Sequence, residues 1–216
     1  QTCALPISDS SIVGGSGSIA LSNSGTISGA YGLTLGGSAG GSVTSIIDTS
    51  TGSLTKTGSG TWTLNGVNTY SGSTTVSVGT LVIGGSGSLG SGSYSGTLTV
   101  SSGATLNFTS SANQSFGSGA TGVIAAGTGT ISLNGSGTIT INGNNAFTGT
   151  LNVAQSLVTQ GGTNILKAGL GYATTIEIMN GGTITVSGTN DNSFIGILGT
   201  STNIIIDTRS EEHTSE

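Results

Sequence analysis

The chain has 216 residues, 41 of them glycine, with only 5% charged residues and a net charge of −5. Ordinary soluble proteins carry roughly 7% glycine and about 25% charge, so this is not an average globular composition. The acidic balance excludes a nucleic-acid footprint. The lack of any run of about 18 apolar residues excludes a membrane-spanning helix.

The first segment, Gln1 to Ile7, reads QTCALPI, and the last, Arg209 to Glu216, reads RSEEHTSE. They hold the single Cys3, the single Pro6 and the single His213. The codons CAG-ACG-TGT-GCT-CTT-CCG-ATC and AGA-TCG-GAA-GAG-CAC-ACG-TCT-GAA would encode them. These strings are reverse complements over their shared length and resemble a short-read sequencing adapter. Residues 1–7 and 209–216 are therefore expected to be scars outside the fold, poorly packed and free of any site. Residues 8–208 then lack Cys, Pro and His, and their ionisable side chains reduce to Asp9, Asp48, Lys56, Lys167, Glu177, Asp191 and Asp207.

Short runs of alternating apolar and hydroxylated residues follow one another along the chain: Thr61–Leu64, Thr97–Val100, Ala104–Phe108, Thr138–Ile141 and Thr183–Val186. A period of two puts the apolar side chains on one face of a strand and the Thr or Asn on the other. Gly-Gly, Ser-Gly and Asn-Gly pairs between the runs mark tight turns. Asn164–Gly171 gives the one weak hint of a helical turn. Half-buried strands this short cannot enclose a core alone, but stacked coils can, each apolar side chain finding a neighbour above and below. The expected inward set is Leu64, Val76, Leu98, Leu106, Ile139, Ile141, Val153, Ile184 and Val186, with Thr and Asn forming ladders outside. A β-sandwich fits less well, because its strands run longer and its core uses more aromatic residues.

Two segments repeat at an offset of 77 residues. Gly52–Val76 and Gly129–Val153 share Gly-Ser-Gly-Thr (Gly58–Thr61, Gly135–Thr138), Asn-Gly (Asn65–Gly66, Asn142–Gly143), an Asn (Asn68, Asn145), an aromatic (Tyr70, Phe147) and a Gly (Gly72, Gly149).

Candidate sites are few. Gly85–Gly90 matches G-x-G-x-x-G, but no helix follows to present an anion-binding N-terminus, and chance supplies such a match at this glycine frequency. Gly14–Ser18 and Gly84–Ser88 resemble the start of a calcium-binding nonapeptide but lack its Asp ligand. The acids are scattered, which disfavours the paired carboxylates of glycosidase chemistry, and no His remains to activate a Ser or Thr. Trp62, Tyr70, Phe108, Phe147 and Phe194 are candidates for a carbohydrate-stacking row, with packing of the coil interior the favoured reading. Asn107-Phe108-Thr109, Asn113-Gln114-Ser115 and Asn134-Gly135-Ser136 fit the glycosylation pattern, as chance predicts in a chain this rich in Ser and Thr. No catalytic, cofactor-binding or metal-binding residue is expected.

The segment Gly52–Ile83 resembles the autotransporter-associated β-strand repeat of Gram-negative bacteria. The pattern stands here as Leu54-Thr55-Lys56, Gly58, Gly60-Thr61, Leu64, Gly66, Asn68, Tyr70, Gly72, Thr74-Thr75-Val76 and Gly79-Thr80-Leu81. The second copy departs from it at Leu133, at Phe147 and at Gln155-Ser156-Leu157, which replaces the Gly-Thr-Leu strand. The resemblance implies an all-β fold, a right-handed parallel β-helix over residues 8–208 with open ends and repeat motifs at 52–83 and 129–160. It also implies a passenger carried to the cell surface by a C-terminal outer-membrane barrel and acting as a structural or adhesive stalk. Expected partners are that barrel, host or cell-surface glycans or proteins, and further copies meeting at the open solenoid ends. The rival is a non-catalytic part of a β-helix polysaccharide-degrading enzyme.

Overall fold

The structure, a computed structural model, describes residues 8–118, 123–125, 127–142, 145, 149–153 and 155–160. Beyond these it describes the backbones of the strands Thr175–Ile178, Thr183–Ser187 and Asn203–Asp207. Both terminal segments, the Asn164–Gly171 stretch, Phe147, Phe194, Lys167 and Asp191 lie outside the described residues.

The chain winds as a parallel β-solenoid, with every ladder between described strands parallel. Each coil lays short strands on up to three faces. The first face stacks Ser10–Gly14, Leu33–Gly37, Leu54–Lys56, Thr74–Val76 and Leu98–Val100. The central face is an eight-stranded sheet running from Ile19–Leu21 through Thr61–Leu64, Thr80–Ile83, Thr105–Phe108 and Thr130–Leu133 to Thr150–Val153 and Thr175–Ile178. The third face holds the pair Thr26–Ser28 and Ile46–Asp48, then a six-stranded sheet from Ser93–Tyr94 to Asn203–Asp207.

Alternation decides which side chains turn inward. On the central face the column Val43, Leu64, Ile83, Phe108 and Leu133 is in register and buried. Beside it runs a second buried column, Trp62, Leu81, Leu106, Ile131 and Leu151. Each aliphatic side chain so placed contributes about 1.5–3 kcal/mol of burial, and only stacking makes that possible for a four-residue strand. All five predicted runs carry a strand. Leu64, Val76, Leu98, Leu106, Ile139 and Ile141 all point into the core, while the side chains of Val153, Ile184 and Val186 lie outside the described residues.

At the corner between the first and central faces the turn glycines stack as well. Gly37, Gly58 and Gly79 take φ of 100°, 69° and 71°, a region costly for side chains with a Cβ. A Cβ on Gly79 would sit 2.5 Å from the Gly58 carbonyl oxygen, and one on Gly58 would sit 2.5 Å from that of Gly37. Glycine here is required twice over, by conformation and by coil spacing.

Candidate functional site

The residues that define the repeat meet inside the coil, where they fasten one turn to the next. Strand Leu54–Lys56 points Leu54 and Lys56 inward and Thr55 outward. Lys56 is fully buried. Its Nζ donates to the carbonyls of Thr57 and Gly58 at 2.7 Å and, one coil further on, to that of Val78 at 3.0 Å. The ammonium thus closes the glycine corner and ties it to the next turn, while burial lowers its pKa below the usual lysine value. Trp62 is also fully buried and donates its indole N–H to the Gly36 carbonyl at 2.8 Å. Gly41, its partner in the preceding coil, makes room for it, since a Cβ there would lie 3.0 Å from the ring.

Asn68 serves as a backbone splice. The third face has no continuous ladder between Ile46–Asp48 and Ser93–Tyr94, only the isolated bridge from Val67 to Ser88. The buried Asn68 carboxamide bridges this interval. Its Oδ1 accepts from the Ile47 N–H at 3.0 Å, and its Nδ2 donates to the Gly66 and Ser88 carbonyls at 2.9 and 3.0 Å. Gln114 does the same one step on, accepting from the Leu89 N–H at 2.7 Å and donating to the Leu89 carbonyl at 3.1 Å. A buried backbone group left unpaired costs about 1–3 kcal/mol, so these amides hold coils together where the strands are interrupted.

Tyr70 fills the adjoining corner. Tyr94 donates its only hydroxyl proton to the Gly72 carbonyl at 2.6 Å. It must therefore accept from Thr74, which in turn accepts from Tyr70, both across 2.7 Å. The chain of hydroxyls has one direction, Tyr70 to Thr74 to Tyr94 to Gly72. Burial, with Tyr94 alongside, raises the Tyr70 pKa well above the usual tyrosine value against the pull of its Thr74 hydrogen bond. Burial likewise raises Tyr94 to about 12, opposed by its bonds to Thr74. The rings of Tyr70, Tyr94, Phe116 and Phe108 continue as successive edge-to-face pairs at 5.4–6.3 Å, a favoured aromatic geometry.

The second repeat uses the same device. The Asn145 Oδ1 accepts from the Ile124 N–H at 2.9 Å, and both residues lie 77 positions after Asn68 and Ile47. Gln155 accepts from the Gly135 N–H and donates to the Gly137 carbonyl at 3.0 Å. Leu133 is buried where the first repeat has Lys56.

Trp62, Tyr70 and Phe108 therefore line the interior and offer no external stacking row, as the packing reading expected. Gly85–Gly90 is a turn leading into the short 3-10 segment Gly90–Gly92. Asp9 accepts from the Gly32 N–H at 2.7 Å, and Asp48 is exposed on the third face. Among the described residues no cluster of three or more His, Cys, Asp or Glu could hold a metal, and no helix is long and apolar enough to cross a membrane. Sequence reasoning missed Gln114, Tyr94 and Phe116. The visible signal for Gln114 was an amide at an inward position of the alternating strand Gln114–Phe116.

The fold and these clasps define a repeat-built β-solenoid whose polar signature residues are directed at neighbouring coils. Residues 54–83 and 131–155 match the family model described as passenger-associated-transport-repeat, the autotransporter passenger family that the Leu54–Leu81 motif resembles. The match implies an autotransporter passenger domain. No curated protein and no solved structure matches the chain.

Proposed function

We propose that this chain is a stretch of a passenger stalk, a scaffold displayed at the surface of a Gram-negative cell or released from it, without catalysis of its own. One observation carries the reading: the residues that define the repeat point into the coil and bind backbone groups of adjacent turns. Lys56, Trp62 and Asn68 are thereby committed to holding length and register, and Tyr70 joins them through the Thr74 hydroxyl. A stalk needs such regularity, because each added coil extends the rod with the same local contacts. The same logic gives the partners. The passenger's own outer-membrane barrel carries it outward, and the exposed faces meet whatever lies at the surface.

The test is protease shaving of intact cells that express the gene encoding this chain. The stalk reading expects the solenoid to be cut from outside, and its exposure to be lost when a C-terminal segment of alternating, barrel-like strands is deleted. A parent gene encoding a cytosolic protein without export signal or barrel would overturn it.

A further inference from the structure

Three Asn-Gly steps begin on a described asparagine: Asn65–Gly66, Asn134–Gly135 and Asn142–Gly143. Such a step is open to deamidation, because glycine has no side chain to shield its nitrogen and bends freely toward the preceding carboxamide. Ring closure needs a mobile carboxamide and a glycine nitrogen able to give up its proton. Two of the steps withhold the carboxamide. That of Asn142 donates to the Ser115 hydroxyl at 2.9 Å and to the Phe116 and Gly117 carbonyls at 3.3 and 3.2 Å. That of Asn65 lies against the next coil, where a Cβ on Gly85 would sit 3.2 Å from its Oδ1. The third step withholds the nitrogen instead. Asn134 is exposed, but the Gly135 N–H is donated to Oε1 of the buried Gln155, whose amide also donates to the Gly137 carbonyl at 3.0 Å.

We infer that Asn134–Gly135 is a latent deamidation site, kept closed by Gln155 and opened whenever the second clasp opens. The Gly135 nitrogen gives up its proton and attacks the Asn134 Cγ. A bond forms between them as the bond from Cγ to Nδ2 breaks, and ammonia leaves carrying the proton. Water then opens the succinimide. Cleavage at the side-chain carbonyl leaves aspartate, and cleavage at the main-chain carbonyl leaves isoaspartate. Water is the only co-reactant, and nothing is oxidised or reduced. The hydrogen bond to Gln155 holds the proton on Gly135 and so raises the barrier to the first step. The isoaspartate product also keeps the clasp from closing again, because it adds one atom to the backbone of a corner without room for it. A Cβ on Gly135 would lie 2.2 Å from the Ser110 carbonyl oxygen, and one on Gly137 would lie 2.0 Å from that of Ala112. The site thus turns a passing loss of the clasp into a permanent one, whatever the stalk does at the surface.

The experiment incubates the purified full chain in mildly alkaline buffer and follows aspartate and isoaspartate at each Asn-Gly step by chromatography and mass spectrometry of its peptides. Asn134 should convert more slowly in the folded chain than in the chain unfolded by urea. Gln155→Met removes the acceptor at similar length. It should speed conversion at Asn134 about tenfold, the factor that a hydrogen bond of about 1.4 kcal/mol supplies, and leave Asn65 unchanged. Asn145→Leu breaks the other splice of the same repeat without touching Gly135, and should leave Asn134 near its original rate. Both variants are read under conditions where their denaturation curves show them folded, which separates the lost hydrogen bond from a lost fold. Hydrogen exchange at the Gly135 amide needs no variant, and should show that N–H protected in the folded chain. Equal conversion at Asn134 in the folded and unfolded chains, an unprotected Gly135 amide, or equal acceleration by both variants would overturn the inference.

Discussion

The two repeats differ in where they sit on the solenoid. In the first, Leu54–Lys56 lies on the first face and Thr61–Leu64 on the central face. Thr74–Val76 and Thr80–Ile83 then stack directly on them. In the second, Thr130–Leu133 lies on the central face and Ile139–Asn142 on the third. Thr150–Val153 and Ser156–Gln160 stack on those strands in turn. The unit has moved one face round the axis. Its Asn splice moved with it: Asn68 meets Ile47 on the third face, whereas Asn145 meets Ile124, which bridges to Leu98 on the first. The repeat is thus a two-coil clasp defined by its own contacts, and any corner of the coil can host it.

The largest test of that equivalence is truncation of the inward strand residue. Trp62→Ala should cost about 4 kcal/mol and Ile139→Ala about 3 kcal/mol, read from denaturation midpoints. The excess in the first copy reflects the larger buried ring together with the indole bond to Gly36. Equal losses would mean that neither the extra volume nor the indole bond adds to the first clasp.

The Asn splice comes next. Asn68→Leu keeps the branching of the side chain but leaves the Ile47 N–H unpaired, and about 3 kcal/mol should be lost. Asn145→Leu should act in the same sense through Ile124. If one substitution were silent, the two clasps would not be the same device.

Alkaline pH separates the copies without mutation, because only the first has the Tyr70–Thr74–Tyr94 chain. Below about pH 10 the tyrosines are protonated in folded and unfolded chains alike, and their effect on stability is constant. Above it the unfolded chain releases protons first, so stability falls by up to about 1.4 kcal/mol per pH unit for each tyrosine until the folded values are passed. For Tyr94 that window closes at about 12. Lys56 opposes the trend: its lowered pKa makes stability rise with pH until the unfolded value of 10.5. A denaturation series from about pH 8 to pH 11 checks the net slope.

The smallest effects come from converting the first copy into the second. Tyr70→Phe gives the residue type that the second repeat has at Phe147, and should cost about 1 kcal/mol while flattening the alkaline limb. Lys56→Leu, copying Leu133, should change stability by less than about 1 kcal/mol, since an apolar side chain removes a buried charge along with its hydrogen bonds. A large loss would show that the three corner carbonyls depend on the ammonium.

Much of this was legible in the residues. Alternation placed Leu64, Leu98, Leu106 and Ile139 inward, because a strand has only two sides and one must face the core. The gap-free match of Asn68 to Asn145 marked both splices, though not their partners. The place of Lys56 in the repeat motif marks it as part of the scaffold, but not its partners, since the corner carbonyls that receive it come from Thr57, Gly58 and the following coil.

Strands, their inward sides, the glycine corners and the repeat are all written locally. Period two and turn chemistry need no more than a window of a few residues. Which face each strand joins is settled in the folded coil alone. That depends on accumulated coil length: Thr61 pairs with Thr80, 19 residues on, but Thr80 pairs with Thr105, 25 residues on. Small differences in turn length add up along the chain, carrying the second clasp to a new face and bringing Thr61, Thr80, Thr105, Thr130 and Thr150, distant in sequence, into one column.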